Sequence, residues 1–169
     1  KMVRWPERGS ADDDMFFKWM MARYGAYPNV VWDFSKEAHN EKDLEYKLSR
    51  FRLIRSVDPY HRLITNHDDN TAYDSGVYNK LLSFRSDQQH SRWGETIMAQ
   101  RKARAWPVLN IEYGYERGVD NLPTYGVMQD WQEVLRRTYE IICAGGYPNY
   151  YYSNTSWDLI KWQPEPPGW

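Results

Sequence analysis

One run of residues sets the pattern for the rest of the chain: Pro28-Asn29-Val30-Val31-Trp32-Asp33-Phe34-Ser35-Lys36-Glu37. Its apolar, β-branched part is typical of a buried strand, and its last residue brings a carboxylate to the C-terminal tip of that strand. Alternate residues of a strand share a face, so we expect Glu37 on the same side as Asp33 and Ser35. One face would then pack under helices while the other leads polar groups towards a site.

A second run has the same build: Pro107-Val108-Leu109-Asn110-Ile111-Glu112. In a strand, Asn110 and Glu112 share one face and the apolar residues share the other. Two parallel strands that each end in glutamate predict a pair of facing carboxylates. We therefore expect Glu37 and Glu112 to converge on one cleft.

The composition excludes several classes of protein. A chain of 169 residues with 41% hydrophobic content is typical of a soluble globular domain with a real core. The net charge of -1 gives no basic surface for nucleic acid, and no apolar run approaches the roughly 20 residues that cross a bilayer. The single cysteine, Cys143, excludes an intrachain disulfide and a cysteine-based metal cluster. Its apolar neighbours predict a small buried core residue.

The aromatic content favours one class of ligand. The chain holds 9 Trp and 14 Tyr but only 5 Phe, and Trp and Tyr suit surfaces that are half apolar and half polar. Sugars are such surfaces. For each single ring, packing in the core or at its rim stays an open alternative.

Helices and strands are expected to alternate along the chain. Helix-forming composition predicts helices over 12–25 and 92–105, and an amphipathic pattern predicts helices over 41–57 and 125–144. Short apolar runs followed by polar residues predict strands over 28–37, 62–67, 81–86, 107–112 and 149–153. The first helix has apolar residues on most sides, which predicts that it is largely buried. Such alternation specifies an α/β fold with a parallel sheet of right-handed βαβ units. Polar residues collect after the strands, where parallel α/β folds place their sites.

Three segments carry a likeness to a known family. They are Tyr27 to Glu37, then Asp58-Pro59-Tyr60-His61-Arg62 leading to Thr65-Asn66-His67, and Pro107 to Glu112 followed by Tyr113-Gly114-Tyr115-Glu116. In order and spacing they resemble the bacterial apiosidase-like glycoside hydrolases and their clan A relatives. The resemblance implies a (β/α)8 TIM barrel, incomplete here. The chain, 1–169, would be a single partial barrel domain with about strands four to eight and their helices, without the first three strands and the last helix.

The resemblance also assigns roles. In that clan the acid/base glutamate ends strand four and the nucleophile ends strand seven, so Glu37 resembles the acid/base and Glu112 the nucleophile. The clan usually has Asn directly before the acid/base, where this chain has Lys36. Further sugar-binding candidates follow the predicted strands five to eight: Asn66, His67, Gln88, His90, Tyr113, Glu116 and Trp157. Packing is nevertheless the favoured interpretation of Tyr113, Tyr115 and Trp32, ahead of sugar contact.

This pair of glutamates predicts a retaining glycoside hydrolase that cleaves a polysaccharide or oligosaccharide by double displacement. One carboxylic acid protonates the leaving oxygen while one carboxylate, about 5 to 5.5 Å away, attacks the anomeric carbon. The likeness implies a carbohydrate substrate, no cofactor, no metal, and a secreted, periplasmic or cell-surface location. His67 and His90 lack the spacing of a known metal motif.

Two alternatives stay open. The first is a non-catalytic carbohydrate-binding or scaffold protein on a degenerate barrel, and the second is an open flavodoxin-like sheet, for which a phosphate loop is missing. Five strands of a barrel leave two unpaired edges. We therefore expect a second chain or a further segment to complete the barrel.

Overall fold

The structure, a computed structural model, describes residues 5–69, 80–116 and 128–152, with Met128, Tyr151 and Tyr152 described by their backbone alone. The chain divides into two compact units, Lys1–Arg85 and Ser86–Trp169. Both units contain helices and short parallel strands. The predicted α/β class with parallel strands is therefore confirmed.

The first unit alternates helices with strands. Its elements in chain order are α1 (Ala11–Tyr24), β1 (Trp32–Asp33), a 3-10 helix (Ala38–Asn40), α2 (Leu44–Val57), β2 (Ile64–Thr65) and β3 (His67–Asp68). β1 and β2 pair in parallel, with Trp32 opposite Ile64 and Asp33 opposite Thr65. The strand predicted over 62–67 is thus divided between β2 and β3.

Helix α1 begins at a side-chain cap. The Ser10 hydroxyl accepts a hydrogen bond from the Asp13 N–H at 3.2 Å, and acidic residues in the first turn stabilise the helix dipole. The helix predicted over 12–25 is confirmed to within one residue. The prediction that it is largely buried is wrong, because Met21 is buried but Trp19 is half exposed. Apolar residues lie on most sides of α1, and α2 packs on one of them.

Helix α2 supplies the apolar core of the first unit. Asp43 caps it by accepting the Tyr46 N–H at 3.0 Å. Leu48, Phe51 and Ile54 lie at helical spacing and are buried. These three residues form the buried stripe of α2, while Leu44 at the start of the helix is 38% exposed.

The motif that begins at Asp58 has a structural role. Asp58 ends α2, where its N–H donates to Ile54 C=O at 3.0 Å. Its carboxylate then accepts the Trp32 indole N–H at 2.9 Å and the Arg62 N–H at 2.8 Å. One side chain thus holds the turn after α2 against strand β1.

The first strand is much shorter than the predicted run over 28–37. After Asp33, one more ladder bond joins the Phe34 N–H to Thr65 C=O at 3.2 Å. The Asp33 side chain then accepts the N–H of Ser35 at 3.3 Å. This Asx-type bond offers the backbone an alternative to the sheet and ends the strand.

Glu37 consequently does not share a strand face with Asp33, and that prediction is wrong. Its φ of 52° lies in the left-handed region. It caps the 3-10 helix instead of ending a strand. A non-glycine residue in this conformation is uncommon and costs about 1 kcal/mol or more.

The second unit contains two small sheets. Its elements are β4 (Arg85–Asp87), α3 (Trp93–Ala103), β5 (Val108–Asn110), β6 (Tyr115–Glu116), β7 (Met128–Gln129), α4 (Trp131–Cys143), β8 (Tyr147–Pro148) and β9 (Tyr151–Tyr152). β5 lies between β4 and β8, and β6 lies between β7 and β9. The β5–β8, β6–β7 and β6–β9 pairs are parallel. Where one strand was predicted over 149–153, the chain thus forms β8 and β9.

Helix α4 packs only part of its apolar surface. Val134 and Ile141 are fully buried. An adjacent stripe at helical spacing is exposed and consists of Trp131, Leu135, Tyr139 and Ile142. Cys143 is also exposed, so its predicted place in the core is wrong. The predicted helix over 125–144 starts late, because β7 occupies the position of its first turn.

Candidate active site

Glu112 lies two residues beyond β5, at the carboxyl end of a parallel strand. Its N–H is 3.3 Å from Oδ1 of Asn110, the last residue of β5. The fully buried Asn110 side chain also accepts the Gln89 N–H at 3.4 Å and donates to Gln89 C=O at 3.1 Å. One amide therefore fixes the segments that follow β4 and β5 relative to each other.

The Glu112 carboxylate is buried, with 6% of the residue exposed. The Tyr115 hydroxyl donates to its Oε1 at 2.5 Å, and the Gln88 side-chain amide donates to the same oxygen at 3.1 Å. Donors to a carboxylate stabilise its charged form, and in a buried setting such bonds are short and strong. Two donors on one oxygen also limit rotation of the carboxylate.

Gln88 connects Glu112 to His90. The Gln88 amide nitrogen is 3.2 Å from His90 Nε2. Because an amide N–H₂ only donates, it can supply one proton to Glu112 and the other to a neutral His90 ring that accepts at Nε2. Three of the residues predicted from the sequence, Gln88, His90 and Glu112, therefore form one hydrogen-bonded group.

The turn after Glu112 is fastened to helix α4. Tyr113 is fully buried, and its hydroxyl lies 2.6 Å from Thr138 Oγ1. Since the Thr138 hydroxyl donates to Val134 C=O at 2.8 Å, the Tyr113 hydroxyl is the donor of this pair. Burial raises the pKa of the Tyr113 phenol, which keeps it a donor. In this chain Tyr113 packs against α4, and sugar contact by its ring stays a prediction.

Glu116 lies on β6 and binds a second tyrosine. The Tyr150 hydroxyl donates to Glu116 Oε2. Partial burial, together with the Glu116 carboxylate, raises the pKa of the Tyr150 phenol. Glu116 therefore has a hydrogen-bond partner of its own, in Tyr150.

Glu37 lies in a different setting in the first unit. Its carboxylate is partly exposed and accepts the Asn40 side-chain amide at 3.2 Å. The next residue, Ala38, is buried, and its carbonyl accepts a hydrogen bond from Lys47 Nζ at 3.2 Å. Lys47 on α2 thus fixes the backbone of the turn that carries Glu37.

Asn66 and His67 are buried in the same unit. The Asn66 amide donates to Asp68 Oδ2 at 2.9 Å, and Lys47 Nζ lies 3.9 Å from that oxygen. The His67 N–H donates to Asp33 Oδ1 at 3.0 Å. A chain of contacts therefore runs from the Glu37 turn through Lys47 and Asp68 to Asn66.

Comparison with known protein families assigns the chain to one of them. The model of the family described as "Apiosidase-like, catalytic domain" matches residues 8–166. The chain belongs to the apiosidase-like catalytic domain family. The resemblance found in the sequence motifs is therefore confirmed.

A solved structure resembles this apiosidase-like domain at the level of the fold. It is a proposed glycoside hydrolase from Bacteroides vulgatus ATCC 8482, with a TM-score of 0.75 and 20% sequence identity. The match covers 94% of this chain but only 32% of that chain, so the domain spans about a third of the length of that protein. The sequence has no significant match among curated proteins.

The apiosidase-like domain uses one site residue that the motifs did not single out. Tyr115 was interpreted as packing, yet its hydroxyl holds the Glu112 carboxylate. The sequence feature that could have identified Tyr115 is its position three residues after Glu112 and next to Gly114. Trp157, the predicted sugar platform, lies outside the described residues.

Within residues 5–69, 80–116 and 128–152, no three His, Cys, Asp or Glu side chains come close enough together to hold a metal ion. No helix in those ranges has the length and apolar character needed to cross a bilayer.

Proposed function

We propose that this apiosidase-like domain belongs to a retaining glycosidase that cleaves a polysaccharide or oligosaccharide. Glu112 is the nucleophile and Glu37 the general acid/base. The first carboxylate attacks the anomeric carbon while the second protonates the leaving oxygen, and water then hydrolyses the glycosyl–enzyme ester with Glu37 acting as base. The family assignment and the setting of Glu112 support this proposal.

The observation that carries the proposal is the buried Glu112 carboxylate with two donors on one oxygen. A nucleophile must be ionised and correctly oriented before the sugar arrives. The Tyr115 phenol and the Gln88 amide supply the orientation, since two donors on one oxygen fix the carboxylate plane. A solvated surface glutamate would need neither donor.

The setting of Glu37 differs from that of Glu112. Glu37 is partly exposed and accepts a hydrogen bond from the neutral amide of Asn40, and Lys36 before it is exposed. Its left-handed backbone is uncommon for a residue other than glycine, and strained residues often lie at functional sites.

We further propose that the chain supplies about strands four to eight of a (β/α)8 barrel as a single partial domain. A further segment or a second chain would complete the barrel. The match to only a third of a longer chain supports this. The loops of the remaining strands would then decide the sugar specificity, with Asn66, His67, Gln88, His90, Glu116 and Trp157 as candidate contacts. A secreted, periplasmic or cell-surface location suits a polymeric sugar substrate.

The proposal is tested by screening the protein on a panel of aryl glycosides and polysaccharides and then following the first-formed product by proton NMR. Retention of the anomeric configuration is expected, with turnover lost in Glu112→Ala. Glu95→Gln is the control, because it removes an exposed carboxylate on α3 that pairs with Arg92 and is not among the candidate contacts. An inverted product would refute double displacement. Sugar binding without turnover by the unmodified protein would favour the non-catalytic alternative.

A further inference from the structure

A largely enclosed guanidinium, that of Arg137, contacts the turn that follows Glu112. Arg137 on α4 donates from Nη1 to Tyr113 C=O at 2.9 Å and from Nε to Glu133 Oε1 at 2.8 Å. Its guanidinium carbon lies 4.4 Å from the centre of the Trp93 ring. Its side chain is 11% exposed, whereas that of the adjacent Arg136 is 52% exposed.

The backbone of the turn is shaped to receive this guanidinium. Gly114 has a φ of +146°, in the region that favours glycine. A Cβ at this position would lie 2.7 Å from Arg137 Nη1. The close approach therefore needs a residue without a side chain.

The turn connects Glu112 to Tyr115, the two residues whose side chains share a hydrogen bond. It runs from Glu112 to Tyr115, whose hydroxyl returns to the Glu112 carboxylate at 2.5 Å. The Tyr113 carbonyl, held by Arg137, lies between them. A shift of this carbonyl would move the Tyr115 phenol relative to the carboxylate, and a displacement of about 1 Å can cost roughly 100-fold in rate.

We propose that Arg137, oriented by Glu133, is a positioning residue that keeps Glu112 and Tyr115 in their reactive geometry. This inference rests on the proposed function of Glu112 as the nucleophile. Arg137 acts through the backbone of the turn and touches no reacting atom. An arginine suits this role better than a lysine, because its planar fork donates to Glu133 and to Tyr113 C=O in fixed directions.

The test compares Arg137→Met with Arg136→Met in the active protein. Arg136 makes more ion-pair contacts, to Glu133 and Glu140, but does not reach the turn. Arg137→Met is expected to lower kcat by roughly 10- to 100-fold with KM nearly unchanged. Arg136→Met should keep the kcat of the unmodified protein. Amide hydrogen exchange at 113–116 should rise in the first variant and not in the second.

A conservative variant separates positioning from folding. Arg137→Lys keeps the charge but lacks the fork, so it should recover part of the kcat lost in Arg137→Met. If Arg137→Met does not fold, Arg137→Lys carries the test, and its kcat should still fall several-fold with KM unchanged. Folding of each variant is checked by thermal unfolding.

The outcomes distinguish this inference from the proposed function. If Glu112→Ala keeps turnover, the proposed function fails. If Glu112→Ala is inactive but Arg137→Met, or Arg137→Lys where the former does not fold, keeps the kcat of Arg136→Met, the positioning role of Arg137 is overturned. Equal losses of kcat in the Arg136 and Arg137 variants would also overturn it, because a general effect of helix α4 would explain them.

Discussion

The two turns that carry Glu112 and Glu37 both follow a short parallel strand, but the two glutamates differ in burial and in hydrogen bonding. The Glu112 turn follows β5 and the Glu37 turn follows β1. Glu112 follows its strand by two residues and is buried with two donors on one carboxylate oxygen. Glu37 follows β1 by four residues, is partly exposed, and accepts the neutral amide of Asn40.

This difference is one of orientation. Two donors hold the Glu112 carboxylate in one orientation before a substrate binds, as the proposed nucleophile requires. The supports also differ. The Glu112 turn is fixed by α4 through Tyr113 and Arg137, and the Glu37 turn is fixed by α2 through Lys47.

The largest expected effect is a loss of turnover that depends on the leaving group for one glutamate and not for the other. Glu112→Gln should lose at least about 10⁴-fold in turnover on every substrate, because no covalent intermediate can form. Glu37→Gln should lose about 10²- to 10⁴-fold on an unactivated glycoside, but far less on a nitrophenyl glycoside, whose leaving group needs no protonation. Steady-state kinetics on both substrates checks this. Equal losses by Glu37→Gln on the two substrates would contradict the acid role.

The next effect concerns the support of the Glu37 turn. Lys47→Met should lower the free energy of unfolding by about 3 kcal/mol, because it removes the buried hydrogen bond to Ala38 C=O and a cation that lies 3.9 Å from the buried Asp68 carboxylate. Arg8→Met is the matched control. It removes a surface pair to Glu41 and should cost under about 1 kcal/mol. Urea unfolding of both variants measures the difference, and similar costs would contradict a supporting role for Lys47.

A smaller effect distinguishes the two tyrosines of the Glu112 turn. Tyr115→Phe should lower kcat by roughly 10- to 100-fold, since it removes a donor to the carboxylate. Tyr113→Phe removes the bond to Thr138 and should cost about 1 kcal/mol of stability. Its kcat should stay within about twofold of the unmodified value. Steady-state kinetics and thermal unfolding of both variants measure these effects. An unchanged kcat in Tyr115→Phe would contradict the role of Tyr115 as a donor to Glu112.

The smallest effect depends on pH. Arg136 and Arg137 hold the pKa of Glu133 at about 2, below its ordinary value of 4.5. A lowered carboxyl pKa contributes stability above the unfolded value, and this contribution is lost as the pH falls towards 2. Glu133→Gln should therefore be less stable than the unmodified protein at pH 7, with the gap closing between about pH 4.5 and 2. Urea unfolding across that range measures it, and a constant gap would contradict the ion-pair explanation.

Much of the second unit follows from its sequence. The run that ends at Glu112 does form a parallel strand with the carboxylate just past its end, because its apolar residues fit a buried, pleated surface. Gln88 and His90 were expected near strand tips; Gln88 bonds Glu112, and His90 bonds Gln88. Helices α1 to α4 were found from composition, amphipathic pattern and end signals.

In the first unit, the hydrophobic pattern did not predict where strand β1 ends. The run that ends at Glu37 has the same apolar character, but the Asp33 side chain binds the Ser35 N–H and ends the strand early. Such competition depends on local geometry more than on hydrophobic period. The role of Tyr115 was missed for a similar reason. From the sequence, a tyrosine three residues after Glu112 is expected to pack against the core. Only the structure of the turn at Gly114 shows that its hydroxyl reaches the Glu112 carboxylate.

The identity of the nucleophile is tested most directly by trapping the covalent intermediate. The protein is incubated with a 2-deoxy-2-fluoro glycoside of the sugar it hydrolyses, and the labelled peptide is identified by mass spectrometry. A single adduct on Glu112 is the predicted result. An adduct on any other residue, or hydrolysis of the parent substrate with retention and no adduct on Glu112, would contradict it.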